Sequence, residues 1–225
     1  MDGPLSFAHA SSAIDAAALG LIGLAVAGTI LRHLESAIWL LVAQGVLLGV
    51  AAGAAALAEM EWRAWAAFAA AVVVKAVAIP LILRHVLRRI AVPREVETVI
   101  PLKVAFPMAV GLVLVAYHAI EPFTRAASGG FDAPNALPAA LGLLLLGLFT
   151  MVIRKKALTQ VIGLVTMENG LYLAAVAATG GLPFAVEFGV ALDVLTGVAI
   201  MALVMHEINR MFGDVNIDRL RALRG

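Results

Sequence analysis

Three ionisable side chains sit where such groups are expensive. Lys75, Glu168 and Asp193 each fall inside a long apolar stretch. Helical rise places Lys75 about 14 Å, Glu168 about 18 Å and Asp193 about 20 Å from the nearest cytoplasmic polar flank. A bilayer core is roughly 30 Å thick, so all three approach its midplane. Left facing lipid, each would cost about 2.5–3.5 kcal/mol, so each is expected to face protein or water. One amine and two carboxylates at a common depth can offset one another's cost. With water between them they can also hand on a proton, because a low dielectric disfavours the charged form of both types. The plainer alternative is that these groups hold helix register through buried hydrogen bonds. Three at one level favour function.

The elements that must position them are membrane spans. The chain has 225 residues, 63% hydrophobic and only 14% charged, where a soluble globule carries about 25% charge. That composition excludes a soluble enzyme and a disordered chain. Seven stretches reach the length a spanning helix needs: approximately residues 13–31, 37–58, 64–83, 104–120, 136–153, 157–179 and 183–205. Period-2 alternation is missing, so a membrane β-barrel is not expected. The expected fold is all-α, a polytopic membrane bundle of about seven transmembrane helices, since lipid cannot satisfy a bare backbone.

Charge sets the expected orientation. Thirteen of the 16 Lys and Arg residues flank one side: Arg32; Arg84, Arg88, Arg89, Arg94 and Lys103; Arg154, Lys155 and Lys156; and four arginines of the tail. The opposite side holds Arg63 and Arg125. The positive-inside rule then puts the N-terminus outside and the C-terminus in the cytoplasm. The first residues lack the basic start and clear cleavage site of a secretory signal, so span one is expected to remain as an anchor. Residues 84–103 form the longest cytoplasmic connection, and 128–138, rich in Gly and Pro, form an external loop.

Weaker signals accompany these. Glu187 opens span seven, where a helix N-terminus suits a carboxylate regardless of function. Gln44 lies about 12 Å into span two and can bridge helices or line a wet path. His118, near the outer end of span four, is a candidate for a secondary polar path, although a lone histidine there is more often an ordinary interfacial residue. Pro80 and Pro107 should kink or end spans three and four. The run GVLLGVAAG places Gly45, Gly49 and Gly53 on one helix face, which permits close packing, including against a partner subunit. The chain contains no cysteine, which excludes disulfides and thiolate metal sites. Phosphate-loop, dinucleotide, HExxH and clustered-histidine patterns are also missing. No catalytic residue, cofactor site or metal site is therefore expected in this chain, and no nucleic acid.

The stretch ALTQVIGLVTMENG at 157–170 carries Glu168, and EFGVALD at 187–193 carries Asp193. Together with KAVAIP at 75–80 and the tail VNIDRLRALRG at 215–225, they resemble the hydrogenase-4 component E family. The resemblance implies a membrane subunit of a complex I-like assembly built around a group 4 [NiFe] hydrogenase or a related redox module. The last three helices are similar to the small three-helix subunit of complex I and of multisubunit Na+/H+ antiporters. In that subunit, glutamates on the second and third helices belong to a polar pathway. Glu168 matches the former, and Asp193 stands in for the latter, one methylene shorter. By the resemblance, residues 1–103 form an N-terminal three-helix part with its cytoplasmic loop. Residues 104–156 add two further helices, and 157–225 hold the carboxylate-bearing helices and tail.

This family implies proton transfer through Glu168 and Asp193, with Lys75 as modulator or relay. The Ni-Fe centre and iron–sulfur clusters are expected only in partner subunits. Expected partners are antiporter-like and quinone- or redox-module-anchoring membrane subunits and a peripheral hydrogenase-like arm. All would sit in or on the cytoplasmic membrane of a prokaryote. Two other readings stay open: a structural spacer within the same membrane arm, and an autonomous multipass transporter, for which inverted repeats and broken helices are not evident.

Overall fold

A computed structural model describes residues 3–59, 62–89, 98–126 and 132–179, with Gly197 alone beyond them. Every element among the described residues is helical: α1 Gly3–Ile30, α2 Leu34–Glu59, α3 Trp62–Ala71, a π-helical segment Val72–Ala78, α4 Ile79–Arg89, α5 Leu102–Ala126, α6 Ala136–Ile153 and α7 Ala157–Thr179. A β-bridge joins Thr98 to Arg154. Five stretches among the described residues are long and apolar enough to cross a membrane: Phe7–Ile30, Leu34–Ala58, Leu102–Pro122, Ala136–Ile153 and Leu158–Ala177. The protein is an all-helical membrane protein. The expected span 183–205 lies outside the described residues.

The expected third span takes a different form. Instead of one regular helix over 64–83, the chain makes α3, a π turn and α4 in succession, reaching Arg89. Val72, Val73 and Val74 open the π segment, and β-branched side chains crowd the preceding turn of an α-helix. Pro80, which has no N–H, is the second residue of α4, directly after the π segment. Pro80 thus marks a change of helical register and does not end the helix. Pro107 also fails to end its helix: α5 runs through it, and through Pro122, to Ala126. Since α4 reaches Arg89, Arg84 and Arg88 stand on a helix, not in a loop. At the other end, α1 starts at Gly3, ten residues before the expected span.

Two clasps tie α1 to α6 and fix them parallel. Near the start of α6, Asp15 accepts hydrogen bonds from the Asn135 backbone N–H at 2.7 Å and from Asn135 Nδ2 at 2.6 Å. At the far end, the buried Arg154, C-cap of α6, donates to the carbonyls of Gly28, Thr29 and Leu31 at 2.9, 3.0 and 3.3 Å. A cation there meets the carbonyls that the last turn of α1 leaves without helical partners. Burial draws the Arg154 guanidinium below its usual pKa, yet a guanidinium stays charged at neutral pH. Helices α6 and α7 pack backbone to backbone: a Cβ on Gly147 would stand 2.5 Å from Met167 N and 2.6 Å from Gly163 O.

The apolar interior divides in two. One cluster joins α1, the C-terminal half of α2, α5, α6 and the C-terminal half of α7, with Ile14, Leu48, Leu143 and Leu173 at its centre. The other joins the N-terminal halves of α2 and α7 to α4 through Leu34, Leu41, Leu83 and Val165. Between them lies a polar layer.

Candidate functional site

On α2, Gln44 falls between Leu41 of one cluster and Leu48 of the other. On α7, Thr166, Glu168 and Asn169 fall between Val165 and Tyr172. The π segment contributes Lys75. All five polar residues are buried, and Gln44, Lys75, Glu168 and Asn169 are each no more than 2% exposed.

Lys75 Nζ donates to Glu168 Oε1 at 2.7 Å, and their side chains are 1% and 3% exposed. The ammonium also stands 5.5 Å from the centroid of the Tyr172 ring, within range of the attraction between a cation and an aromatic face. Tyr172 lies four residues after Glu168, on the same face of α7. One face of α7 thus offers the ammonium both a carboxylate and a π surface. Removing one member of such a buried pair typically costs about 3–5 kcal/mol, because the other charge is stranded.

Helix α2 makes the pairing possible by packing against both the π segment and α7. A Cβ on Gly45 would lie 2.7 Å from Ala76 N and from Lys75 C, so α2 touches the π segment at the backbone of Lys75 itself. Gly49 meets Val72 and Gly53 meets the ring of Phe68. The small-residue stripe of α2 therefore packs within this chain, against α3 and the π segment, and does not serve as a face for a partner.

A second polar contact lies beside the first. Asn169 Nδ2 donates to Gln44 Oε1 at 2.9 Å, and the Thr166 hydroxyl donates to the Ile162 carbonyl at 2.9 Å, 3.5 Å from Gln44 Oε1. A buried donor, Gln44 Nε2, and a buried acceptor, Asn169 Oδ1, have no partner among the described residues. Buried polar atoms without protein partners are where ordered water is held.

The structure thus brings Lys75, Glu168 and Gln44 into one layer. Asp193 and Glu187 lie outside the described residues. His118 is not part of the layer: it is exposed on α5, which packs on α6 and α1. There it lines a surface cavity of about 430 Å³ with Tyr117, Glu121 and Asn135. Sequence reasoning missed Asn169, Thr166 and Tyr172. Asn169 was signalled by its place beside Glu168 in mid-span, and Tyr172 by the four-residue spacing that puts it on the glutamate's face. No group of three or more possible metal ligands occurs among the described residues.

Fold and site together define a polytopic helical membrane protein with an ion pair buried between two apolar layers. Residues 136–225, which begin at α6 and include Glu168, match the family model of NADH-ubiquinone/plastoquinone oxidoreductase chain 4L. An uncharacterized protein of Mycobacterium tuberculosis is 31% identical over 221 residues, 98% of this chain and all of that relative. Hydrogenase-4 component E of Escherichia coli K12 is 32% identical over 163 residues, 70% of this chain and 72% of that protein, and the Shigella flexneri protein matches equally. No solved structure matches. The chain belongs to the hydrogenase-4 component E family.

Proposed function

We propose that this chain is a membrane subunit of a complex I-like redox complex, where it supplies part of a proton path coupled to electron transfer. Membership of the hydrogenase-4 component E family, together with the match of its C-terminal part to a complex I chain, supports its place in such a complex. One observation carries the reading of the path: Lys75 and Glu168 meet at 2.7 Å in a fully buried polar layer at mid-span. Glu168 is the proton-exchanging carboxylate and Asp193 its neighbour along the path. Lys75, in contact with the Glu168 carboxylate, modulates or relays its proton. Gln44 and Asn169 hold water beside the pair through the two polar atoms without partners among the described residues.

Reduction or oxidation takes place elsewhere, in partner subunits that carry the Ni-Fe centre and iron–sulfur clusters. The change in charge or conformation there reaches this chain through antiporter-like and quinone-module-anchoring neighbours. The complex lies in the cytoplasmic membrane of a prokaryote. The basic end of the bundle, with Arg32, Arg84, Arg88, Lys155 and Lys156, faces the cytoplasm, and the N-terminus is outside.

The test is Glu168→Gln in the assembled complex, with proton uptake measured beside redox turnover. The expected result is turnover that proceeds with proton uptake lost. Normal coupled uptake in that variant removes Glu168 from the path. A spacer role is favoured by one contact, the Asn169–Gln44 bond tying α7 to α2. Under that reading the variant loses assembly while any complex that does form stays coupled.

A further inference from the structure

The outer side of the π segment borders a groove of about 200 Å³ between α2 and the run from the π segment into α4. Its walls are apolar, formed by Trp39, Val42, Val77 and Leu81 among others. Trp39 is 63% exposed and Leu81 57%, so the groove opens away from the bundle. At one end stand two opposite charges, Glu35 and Arg84. Both are exposed, and among the described residues the two form no ion pair with each other. From Glu35 the wall descends to Val42, a helical rise of about 10 Å, towards the depth of Gln44.

We propose that this groove binds one phospholipid with an ethanolamine headgroup. The charges lie at the basic end of the bundle, beside Arg32 and Glu35 at the start of α2, where headgroups lie. The apolar walls run from there towards the midplane, the direction an acyl chain takes. A guanidinium binds a phosphate through paired N–H donors. An ammonium with N–H groups gives the Glu35 carboxylate its hydrogen-bonding partner. A headgroup that carries both charges satisfies both ends of the site. A glycerol headgroup would leave Glu35 facing the lipid's own negative charge, and a choline headgroup has no N–H to donate. A neighbouring subunit's helix, about 10–12 Å across, would cover the walls while offering no required partner to either charge.

The experiment uses the intact complex that contains this subunit, prepared as wild type, E35K and R84Q. Each is stripped of lipid in detergent and titrated with dioleoyl-phosphatidylethanolamine or dioleoyl-phosphatidylglycerol. Bound lipid is counted by native mass spectrometry, and the difference between wild type and variant isolates this groove from other lipid sites. In wild type, one site is expected to prefer the ethanolamine lipid about fivefold, the worth of one charge contact at a membrane surface. E35K should invert that preference towards phosphatidylglycerol, and R84Q, which removes the donor to the phosphate that both lipids carry, should weaken binding of both at this site. Equal selectivity in all three proteins overturns the proposal. So does a map of the complex with a neighbouring helix seated in the groove. Since both residues are exposed and neither belongs to the Lys75–Glu168 layer, proton coupling should persist in both variants. The outcome is therefore independent of the proposed proton path.

Discussion

The energetic link between Lys75 and Glu168 can be measured directly, by a double-mutant cycle with Lys75→Met and Glu168→Gln. Lys75→Met leaves the Glu168 carboxylate buried without its ammonium, a loss of about 3–5 kcal/mol for a broken buried pair. Glu168→Gln costs less, about 2–4 kcal/mol, because the new carboxamide still accepts a hydrogen bond and the ammonium keeps the Tyr172 ring at 5.5 Å. The double variant removes both members of the pair together. Replacing a whole buried pair by neutral groups of similar volume is often close to neutral, so its cost should be about 1–2 kcal/mol. The coupling energy, the summed single losses less the double loss, is then about 3–8 kcal/mol, well above the scatter of about 0.5 kcal/mol expected of independent sites. The assay is an SDS titration of the assembled complex, following release of this subunit. Single variants should release at clearly lower SDS, and the double variant near wild type. If the double variant loses the sum of the two single losses, the 2.7 Å contact carries no coupling and the reasoning fails.

Two further outcomes probe what positions the pair. Gly45→Ala pushes a Cβ into the backbone at Lys75 and Ala76, so it should cost about 1–3 kcal/mol and weaken the Lys75–Glu168 coupling. Gly23→Ala, with nothing within 4 Å, should be neutral or stabilising by up to about 1 kcal/mol, and thermal release of the subunit distinguishes them. Arg154→Gln removes the charged donor to the last carbonyls of α1 and should destabilise by about 2–3 kcal/mol, with Arg154→Lys only partly restoring the loss because a point charge cannot match three carbonyls. The same thermal assay checks both.

Five of the seven expected spans and the level of the polar layer were legible in the sequence because membrane length and the cost of intramembrane charge are one-dimensional constraints. Lys75, Glu168 and Gln44 could be placed by counting residues from a flank, and the structure brings them into one layer. Features that depend on two helices at once were hidden. The four-residue repeat of Gly45, Gly49 and Gly53 announced a close contact but could not name its occupant, which is the π segment and α3 of the same chain. Arg154 looked like one more residue of a basic loop, since nothing local tells a solvated arginine from one folded onto the end of α1. The residues before the expected first span, which opens at residue 13, are too polar to score as membrane core. They are helical all the same, and Asp15 holds Asn135 across 120 positions. The π segment had only partial signals, a β-branched run and a proline, each of which also suits a plain kink.

Those partial signals acquire a single meaning in the packed structure. A π segment accommodates an added residue that an α-helix would place elsewhere, and each residue of α register is worth a turn of about 100°. Reverting Val72–Ala78 to α-helix would therefore swing Lys75 around the helix relative to α4, off the face that meets Glu168. Several features hold the irregular register in place. The valines disfavour the regular turn before Lys75, and Pro80 removes one N–H where the register changes. Gly45 lets α2 brace the backbone at the displaced residue. The pair thus depends on the distortion, and irregular helical turns are often found at functional sites. Two dry clusters, one on either side along the helices, then confine the ammonium and the carboxylate to a thin layer in which each is the other's charge partner.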